Sequence, residues 1–189
     1  MDCDRLLDQL DALAPLGDLP RTGWVLRGCL PAETIAAHTV QVAILVAALC
    51  DALRAEGTAV DGERALRMAL VHDAPEARTG DMPMPMKTDA LARELVALET
   101  RIIDDLLPPA LRTDWADAEH RGSVEADLVA AADKIQMLAQ ALRYERRGVA
   151  PQAFVTMWAN PANLRAMHLA PIRALYASLF ARAGRAMPA

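Results

Sequence analysis

The sequence contains few aromatic residues, few lysines and few cysteines, and each shortage argues against a class of protein. Aromatic residues make up 4% of the 189 residues, and no alternating run of β-branched and aromatic residues indicates a strand. Lys87 and Lys134 are the only lysines, and the formal net charge is −5. An acidic chain without a basic stripe is poorly suited to follow a phosphate backbone, which disfavours a nucleic-acid polymer as partner. A single nucleotide is compatible with this charge.

The cysteines and the apolar runs bear on redox state and on membranes. Cys3, Cys29 and Cys50 are an odd number without C-x-x-C spacing, which favours free thiols over a disulfide framework or a thiolate zinc site. No uninterrupted apolar run reaches the ~18 residues of a membrane span, and the first four residues lack the basic segment of a secretory signal. We therefore expect a soluble, cytoplasmic protein without a membrane partner.

Alanine and leucine dominate the composition, and the apolar residues recur at the spacing of helices. Hydrophobic residues make up 53% of the chain, which is enough for one good core. We predict an all-α fold with a single domain over residues 1–189. The predicted helices cover residues 4–16, 33–55, 63–73, 89–107, 111–120 and 124–144, with closing helices at about 151–183 and loops over 21–28 and 79–87.

Four side chains that can ligate a metal ion occur in three of these helices. His72 and Asp73 are adjacent near a helix end, because Pro75 cannot continue the helix without losing a hydrogen bond. His38 and Asp133 each lie within another apolar helical pattern, so the four can converge only inside a helical bundle. Two nitrogens and two oxygens suit Mn, Co, Fe, Ni or Zn better than Ca or Mg. Taken alone, His38 fits a core histidine and Asp133 fits a surface ion pair.

Further polar side chains near the His-Asp dipeptide are candidates for catalysis and substrate binding. Glu76 follows the dipeptide closely enough to act on a water molecule without ligating the metal. Trp24 lies in a loop flanked by glycines, where it is either a stacking platform for a base or a core residue. Arg27 and Arg78 are candidate phosphate or sugar contacts, and Asp81 is a candidate acceptor for a sugar hydroxyl.

The chain resembles the HD-domain metal-dependent phosphohydrolases, and within them the 5′-deoxynucleotidase (YfbR-like) branch and its eukaryotic HD-domain-containing relatives. The resemblance covers about residues 23–145, and the combined pattern is specific although each part of it is not. Its segments are Gly23-Trp24-Val25-Leu26-Arg27, Glu33 with His38, Ala69-Leu70-Val71-His72-Asp73-Ala74-Pro75-Glu76, Thr79-Gly80-Asp81, Ala132-Asp133-Lys134 and Tyr144-Glu145.

This resemblance implies an HD-type helical bundle that holds one divalent metal ion. The ligands it implies are His38, His72, Asp73 and Asp133. It also implies that Glu76 acts on the water nucleophile and that Trp24, Arg27 and Asp81 help to hold a nucleotide. The reaction implied is hydrolysis of a deoxynucleoside 5′-monophosphate to deoxynucleoside and phosphate, carried out by a homodimer.

The chain departs from its relatives at two positions. Ala37 precedes His38 where relatives usually carry an acidic residue, and Gly23 precedes the tryptophan where bacterial members commonly carry arginine. These differences leave the metal ligands in place and bear on substrate selectivity. Another phosphate ester is therefore an alternative substrate.

Three further alternatives differ in chemistry or lack a site. A non-catalytic, nucleotide-binding regulatory module would bind metal and nucleotide without turnover, although it would have no need of Glu76. HD proteins with a second metal use extra histidines, and neither His120 nor His168 follows the dipeptide at the short distance expected. A structural bundle with no site would leave His38, Asp73 and Asp133 in apolar surroundings without compensation.

Overall fold

A computed structural model describes residues 2–83 and 89–188, and for residues 89, 90 and 92 it describes only the backbone. Regular structure in the described residues is helical, which confirms the predicted all-α class. The α-helices are α1 Cys3–Leu13, α2 Thr22–Val25, α3 Ile35–Ala55, α4 Gly62–Val71, α5 Glu76–Thr79, α6 Asp89–Leu106, α7 Pro109–His120, α8 Val124–Arg146, α9 Val155–Ala159 and α10 Ala170–Arg182. Short 3₁₀ helices cover Ala14–Gly17, Pro151–Phe154 and Pro161–Asn163.

The helices that lead to the predicted metal ligands begin at side-chain caps. Thr34, Asp61 and Ser123 each accept a hydrogen bond from a backbone N–H in the first turn of α3, α4 and α8, respectively. Such caps satisfy donors that have no partner within the helix, and replacing one with alanine typically costs about 1 kcal/mol. The three helices that carry the predicted metal ligands are therefore fixed at their starts by their own sequence.

The loop predicted over residues 21–28 contains one helical turn. Trp24 N–H donates to Arg21 O at 3.0 Å, and Leu26 N–H donates to Thr22 O at 3.0 Å. Gly23 lies within this turn and Gly28 follows it, so neither glycine interrupts the helix. The structure therefore corrects the loop prediction to a short α2.

Buried apolar side chains form two clusters that meet along α4. The larger cluster lies among α3, α4, α8 and α10 and includes Val46 and Ala69. The smaller one lies among α4, α6 and α7 and includes Val71, Ala74 and Ile103. Because Ala69 belongs to the larger cluster and Val71 to the smaller one, the end of α4 packs against apolar side chains on two sides. This is the place where the His-Asp dipeptide lies.

Helix α3 is the central helix and carries a strongly apolar sequence. By length and hydropathy alone, Ile35–Ala55 would pass as a membrane span. Its inner face, however, includes Val42 and Val46, which are fully buried in the core, and the fully buried His38. These contacts are those of a core helix, in which a histidine on the inner stripe needs a polar partner.

Candidate metal centre and cavity

The four predicted metal ligands converge from α3, the end of α4 and α8. His38 Nε2 lies 3.3 Å from Asp133 Oδ1 and 3.6 Å from Asp73 Oδ2. His72 Nε2 lies 3.3 Å from the same Asp73 oxygen. One ligand atom each of His38, His72 and Asp133 lies within 4.8 Å of the others. Residues separated by up to 95 positions thus form a single cluster of two imidazoles and two carboxylates.

Both imidazoles turn the same nitrogen toward the centre. His72 Nδ1 lies 2.8 Å from Ala69 O, and since a carbonyl oxygen can only accept, Nδ1 carries the proton. His38 Nδ1 lies 2.5 Å from Gln136 Oε1. The Nε2 atoms of both histidines are buried and have no hydrogen-bond partner in the described part of the chain. The two buried nitrogen lone pairs and the two carboxylates that they face together form a ligand set that suits a divalent transition metal.

The two carboxylates are held in their charged form. Burial raises the pKa of Asp73, but His72 and Arg21 outweigh it and hold that pKa below its usual range. Burial also raises the pKa of Asp133, but Lys134, whose Nζ lies 2.8 Å from Asp133 Oδ2, contributes to holding it well below the usual range. Deprotonated carboxylates are the form that binds metal.

A cavity of about 500 Å³ opens onto this centre, a volume suited to a small-molecule ligand. His72, Asp73 and Asp133 line it, whereas His38 lies behind them with no exposed surface. The predicted residues that also line the cavity are Trp24, Arg27, Glu76 and Asp81. The structure therefore gathers the predicted ligands, the predicted base and three of the four predicted substrate contacts around one space.

Arg78 is the predicted substrate contact that the structure places elsewhere. Its guanidinium donates to Asp105 Oδ2 at 3.1 Å, and its side chain is 45% exposed. Glu76 and Arg78 are two positions apart in α5, and residues at that spacing lie on nearly opposite faces of a helix. Because Glu76 lines the cavity, Arg78 is directed away from it.

Trp24 is mostly a core residue at the edge of the cavity. Its side chain is 2% exposed, and its ring centroid lies 5.3 Å from that of Tyr144 and 6.0 Å from that of Phe154. Its Nε1–H donates to Glu33 Oε1 at 2.8 Å. Most of the indole surface is therefore occupied by protein, and stacking of a base on the remainder stays a prediction.

Arg27 and Asp81 connect the cavity wall to the α2 segment. Arg27 donates from Nη1 to Gly23 O at 2.7 Å and from Nε to Ala153 O at 3.0 Å. Asp81 Oδ2 accepts from Gly23 N–H at 3.3 Å. Gly80, at φ +69° and ψ 165°, ends α5 in a conformation that only glycine adopts readily, and the chain then turns toward Gly23. Both side chains shape the wall on which they were predicted to bind substrate.

Arg21 is a site residue that the sequence did not reveal. Its Nη1 donates to Asp73 Oδ2 at 3.0 Å, and its side chain is 15% exposed. Burial disfavours the charged guanidinium, but Asp73 and Asp133 outweigh burial and raise the pKa of Arg21 further above neutrality. A backbone hydrogen bond outside the helices fixes its position, since Arg21 N–H donates to Glu33 O at 2.9 Å. No periodic pattern signals such a contact.

The C-terminal segment also contributes to the cavity. Asn160, Asn163 and Arg165 line it, although the predicted site was confined to about residues 23–145. The hydroxyl of Tyr176 donates to Asn163 O at 2.8 Å and accepts from Arg165 N–H at 3.2 Å. A buried tyrosine in α10 therefore holds this wall in place.

Comparisons with known proteins agree with this geometry. A family model described as "HD domain" matches residues 14–160. The 5′-deoxynucleotidase HDDC2 of Xenopus laevis is 31% identical over 147 residues, which cover 74% of this chain and 69% of that protein. The 5′-deoxynucleotidase hdd1 of Schizosaccharomyces pombe is 31% identical over 147 residues, which cover 73% of this chain and 71% of that protein.

A solved structure extends the likeness to most of the chain. The crystal structure of PH0347 protein from Pyrococcus horikoshii OT3 is similar with a TM-score of 0.79 and 28% sequence identity. The similarity covers 93% of this chain and 96% of that one. This share of the chain is larger than the part matched by the family model, residues 14–160.

Proposed function

Because the chain belongs to the HD-domain family, we propose that it is a metal-dependent phosphohydrolase that converts deoxynucleoside 5′-monophosphates to deoxynucleoside and phosphate. The observation that carries the proposal is the convergence of two imidazoles and two carboxylates at the end of a cavity of about 500 Å³. Relatives that bear the name 5′-deoxynucleotidase match about three quarters of the chain, and they support the choice of substrate.

The metal in this proposal is one divalent transition ion, Mn, Co, Fe, Ni or Zn. The residues that would hold it are His38, His72, Asp73 and Asp133. When bound, such an ion supplies positive charge for the phosphoryl oxygens and makes water more acidic. Nitrogen donors on two histidines favour these metals over Ca and Mg.

Glu76 is the proposed general base. It begins α5 and lines the cavity beside His72 and Asp73. In the proposed step, the Glu76 carboxylate takes a proton from the attacking water molecule while the oxygen of that water bonds to phosphorus. The bond between phosphorus and the 5′ oxygen breaks, and the proton passes to that leaving oxygen.

The charges that line the cavity explain how an acidic protein can accept an anion. Among the described residues, five carboxylates line the cavity, and five cationic side chains line it with them. The carboxylates are Asp73, Glu76, Asp81, Glu119 and Asp133, and the cations are Arg21, Arg27, Arg121, Lys134 and Arg165. A bound divalent ion would make this lining net positive, which suits a phosphate dianion and preorganises the site for phosphoryl transfer.

The part of the cavity away from the metal ligands is the proposed nucleoside pocket. Trp24 and Asp81 are among the lining residues, as are Asn163 and Arg165 of the C-terminal segment. Amide and guanidinium donors suit the carbonyl oxygens of a base, and a carboxylate suits a sugar hydroxyl. A non-nucleotide phosphate ester of similar size is the second candidate, because Gly23 lies where bacterial members commonly carry arginine.

The test is phosphate release from a panel of ribo- and deoxyribonucleoside 5′-monophosphates with Mn, Co, Ni, Zn or Mg. We expect metal-dependent release that prefers deoxyribonucleotides and falls by about 100-fold or more in Glu76→Ala. Arg78→Ala is the matched control, since Arg78 is paired with Asp105 away from the cavity. No release with any metal, in a protein that binds metal, would favour a regulatory module or another ester.

We also propose that the protein acts as a homodimer, as the resemblance implies, and that it does so in the cytoplasm. The outer face of α3 leaves Val40 54% and Ile44 65% exposed, and a second copy would be one way to cover them. Analytical ultracentrifugation at micromolar concentration tests the dimer. A monomer at all concentrations would contradict it without bearing on the metal centre.

A further inference from the structure

We propose that Glu33 and Gln136 are positioning residues that fix His38 in the tautomer whose Nε2 lone pair faces the metal centre. The inference rests on the metal centre of the proposed function and is independent of the substrate. It assigns a role to two residues that contact neither the substrate cavity directly nor the reacting atoms.

A chain of hydrogen bonds leads from the cavity edge to His38. Trp24 Nε1–H donates to Glu33 Oε1 at 2.8 Å. Gln136 Nε2–H donates to the other carboxylate oxygen, Glu33 Oε2, at 3.0 Å. At its far end, Gln136 Oε1 lies 2.5 Å from His38 Nδ1. The side chains come from α2, the segment before α3, α8 and α3, so the chain of bonds spans the bundle.

The direction of each bond follows from what its members can donate. An indole N–H can only donate and an ionised carboxylate can only accept, so Glu33 receives one bond at each oxygen. The amide of Gln136 must therefore turn its NH₂ group toward Glu33 and its oxygen toward His38. Because that oxygen accepts, the proton of neutral His38 lies on Nδ1. His38 Nε2 is then a lone-pair donor directed at the centre.

In the alternative tautomer of His38 the proton lies on Nε2, where a carboxylate can accept a hydrogen bond from it. Neighbouring side chains must therefore favour the proton on Nδ1. His38 Nε2 lies 3.3 Å from Asp133 Oδ1. A proton on Nε2 would be attracted by this carboxylate, and it would occupy the direction in which His38 must bind metal. The bond to Gln136 favours the opposite tautomer, and Glu33 makes the orientation of the Gln136 amide unambiguous.

Burial and backbone contacts keep the chain of bonds from rearranging. His38 is fully buried, Trp24 is 2% exposed and Gln136 is 5% exposed, so water competes little for these groups. Glu33 N–H donates to the Tyr144 hydroxyl at 2.8 Å. Gln136 and Tyr144 lie about two turns apart on α8, so one helix holds both the side chain and the backbone of Glu33.

The decisive variant is Glu33→Gln, which keeps the size and packing of the side chain. Because the Trp24 indole N–H can only donate, the new glutamine turns its oxygen toward Trp24 and its NH₂ group toward Gln136. The Gln136 amide must then turn over and present its NH₂ group to His38 Nδ1. We expect metal-free Glu33→Gln to shift His38 toward the Nε2–H tautomer, measured by ¹⁵N chemical shifts of the imidazole at mildly alkaline pH. Wild-type protein should show the Nδ1–H form alone.

The second measurement is the affinity for Co²⁺ by isothermal titration calorimetry. Glu33→Gln should bind Co²⁺ about tenfold to 100-fold more weakly, the usual effect of removing a hydrogen bond to a metal-ligating histidine. Gln136→Leu should show the same loss or a larger one. Gln140→Leu is the matched control, because Gln140 is 6% exposed on the same helix and is bonded to Arg143 and not to His38.

The outcomes separate this inference from the proposed function. A single Nδ1–H tautomer together with unchanged Co²⁺ affinity in Glu33→Gln would overturn the positioning role. Should Gln136→Leu fail to fold, Glu33→Gln still decides the matter by both readouts. Wild-type protein that binds Co²⁺ but releases no phosphate would contradict the proposed function, while the tautomer and affinity results would still judge the role of Glu33 and Gln136.

Discussion

Arg21 Nη1 lies 3.0 Å from Asp73 Oδ2, the same carboxylate oxygen that lies 3.3 Å from His72 Nε2. A guanidinium from the segment before α2 thus reaches the metal centre and shares an oxygen with one of its ligands. Arginine presents several N–H groups in a plane, and a guanidinium with one N–H on a carboxylate can direct others to a phosphoryl oxygen. In this geometry the permanent positive charge of Arg21 lies beside the proposed position of the substrate phosphate.

Arg21→Ala should lower kcat/KM for phosphate release by a factor of about 100. The variant lacks the guanidinium that would face the substrate phosphate, and the net charge of the metal centre becomes more negative by one unit. Metal affinity should not fall, because Asp73 loses a cation that competes with the metal. Steady-state kinetics with saturating metal, together with a Co²⁺ titration, checks both expectations.

Arg21→Lys separates charge from geometry. A lysine restores the positive charge but offers no planar pair of donors, so partial recovery of kcat/KM is expected. Full activity in Arg21→Ala would show that Arg21 only balances the charge of Asp73. Arg78→Ala again serves as the control, since that guanidinium is bonded to Asp105.

Asp73→Asn should abolish metal binding while leaving the fold intact. The amide that replaces the carboxylate is neutral, and its NH₂ end would repel a cation, whereas its volume is unchanged. Inductively coupled plasma mass spectrometry of the purified protein and a Co²⁺ titration measure the loss. Asp105→Asn, at a side chain that is 69% exposed, is the control. Stoichiometric metal in Asp73→Asn would remove Asp73 from the ligand set.

The ligands carried by helices are the part of the site that sequence patterns predict well. His38 lies on the stripe of α3 that also carries Ile35, Val42 and Val46, and all four are fully buried. A polar side chain on such a stripe must find a partner in the core, and the candidates there are few. Asp133 on α8 meets the same requirement. Periodicity therefore indicates which side chains can converge, and the resemblance to the HD-domain family indicates that they form one ligand set.

The irregular segments explain what sequence patterns did not predict. Arg21 and Asp73 are 52 positions apart, and Arg21 is positioned by backbone bonds such as Arg21 N–H to Glu33 O, which no periodicity encodes. Arg78 was predicted at the site because it lies near the His-Asp dipeptide in the sequence, but the helical turn of α5 directs it away from the side of Glu76. Helical periodicity could have indicated Gln136, since it lies three residues after Asp133 and therefore shares its helix face.

Trp24→Ala should destabilise the protein by about 3–5 kcal/mol, the usual cost of deleting a buried aromatic side chain. The indole is 2% exposed and packs against Tyr144 and Phe154, so its removal opens a cavity in the core. Urea denaturation of the metal-free proteins measures the difference. Trp24→Phe is the companion variant, because it keeps much of the packing and removes only the donor to Glu33.

The two Trp24 variants also bear on substrate binding. Stacking of a base on the indole would contribute about 1–3 kcal/mol, and Trp24→Phe should preserve most of it. We therefore expect Trp24→Phe to keep its KM for the nucleotide. A loss of stability below about 1 kcal/mol in Trp24→Ala would contradict the core role that the structure gives this residue.

Tyr176→Phe should change the stability of the protein at alkaline pH as well as at neutral pH. The Tyr176 hydroxyl is fully buried and bonded to Asn163 O and Arg165 N–H. Removing it at neutral pH leaves these groups unsatisfied, which typically costs about 1–3 kcal/mol. Urea denaturation of wild type and variant at a series of pH values measures both effects.

The sign of the alkaline effect follows from the pKa of this tyrosine. Burial raises the pKa of Tyr176 to about 12 from an ordinary value of 10.0. Between these values the unfolded chain releases the phenolic proton and the folded protein keeps it, so wild-type stability falls as the pH rises from 10 to 12. Tyr176→Phe lacks this proton, and its stability should approach that of wild type across the same interval. Parallel curves from neutral pH to pH 12 would contradict the raised pKa, whereas convergence would show that the hydroxyl holding the cavity wall stays protonated in the folded state.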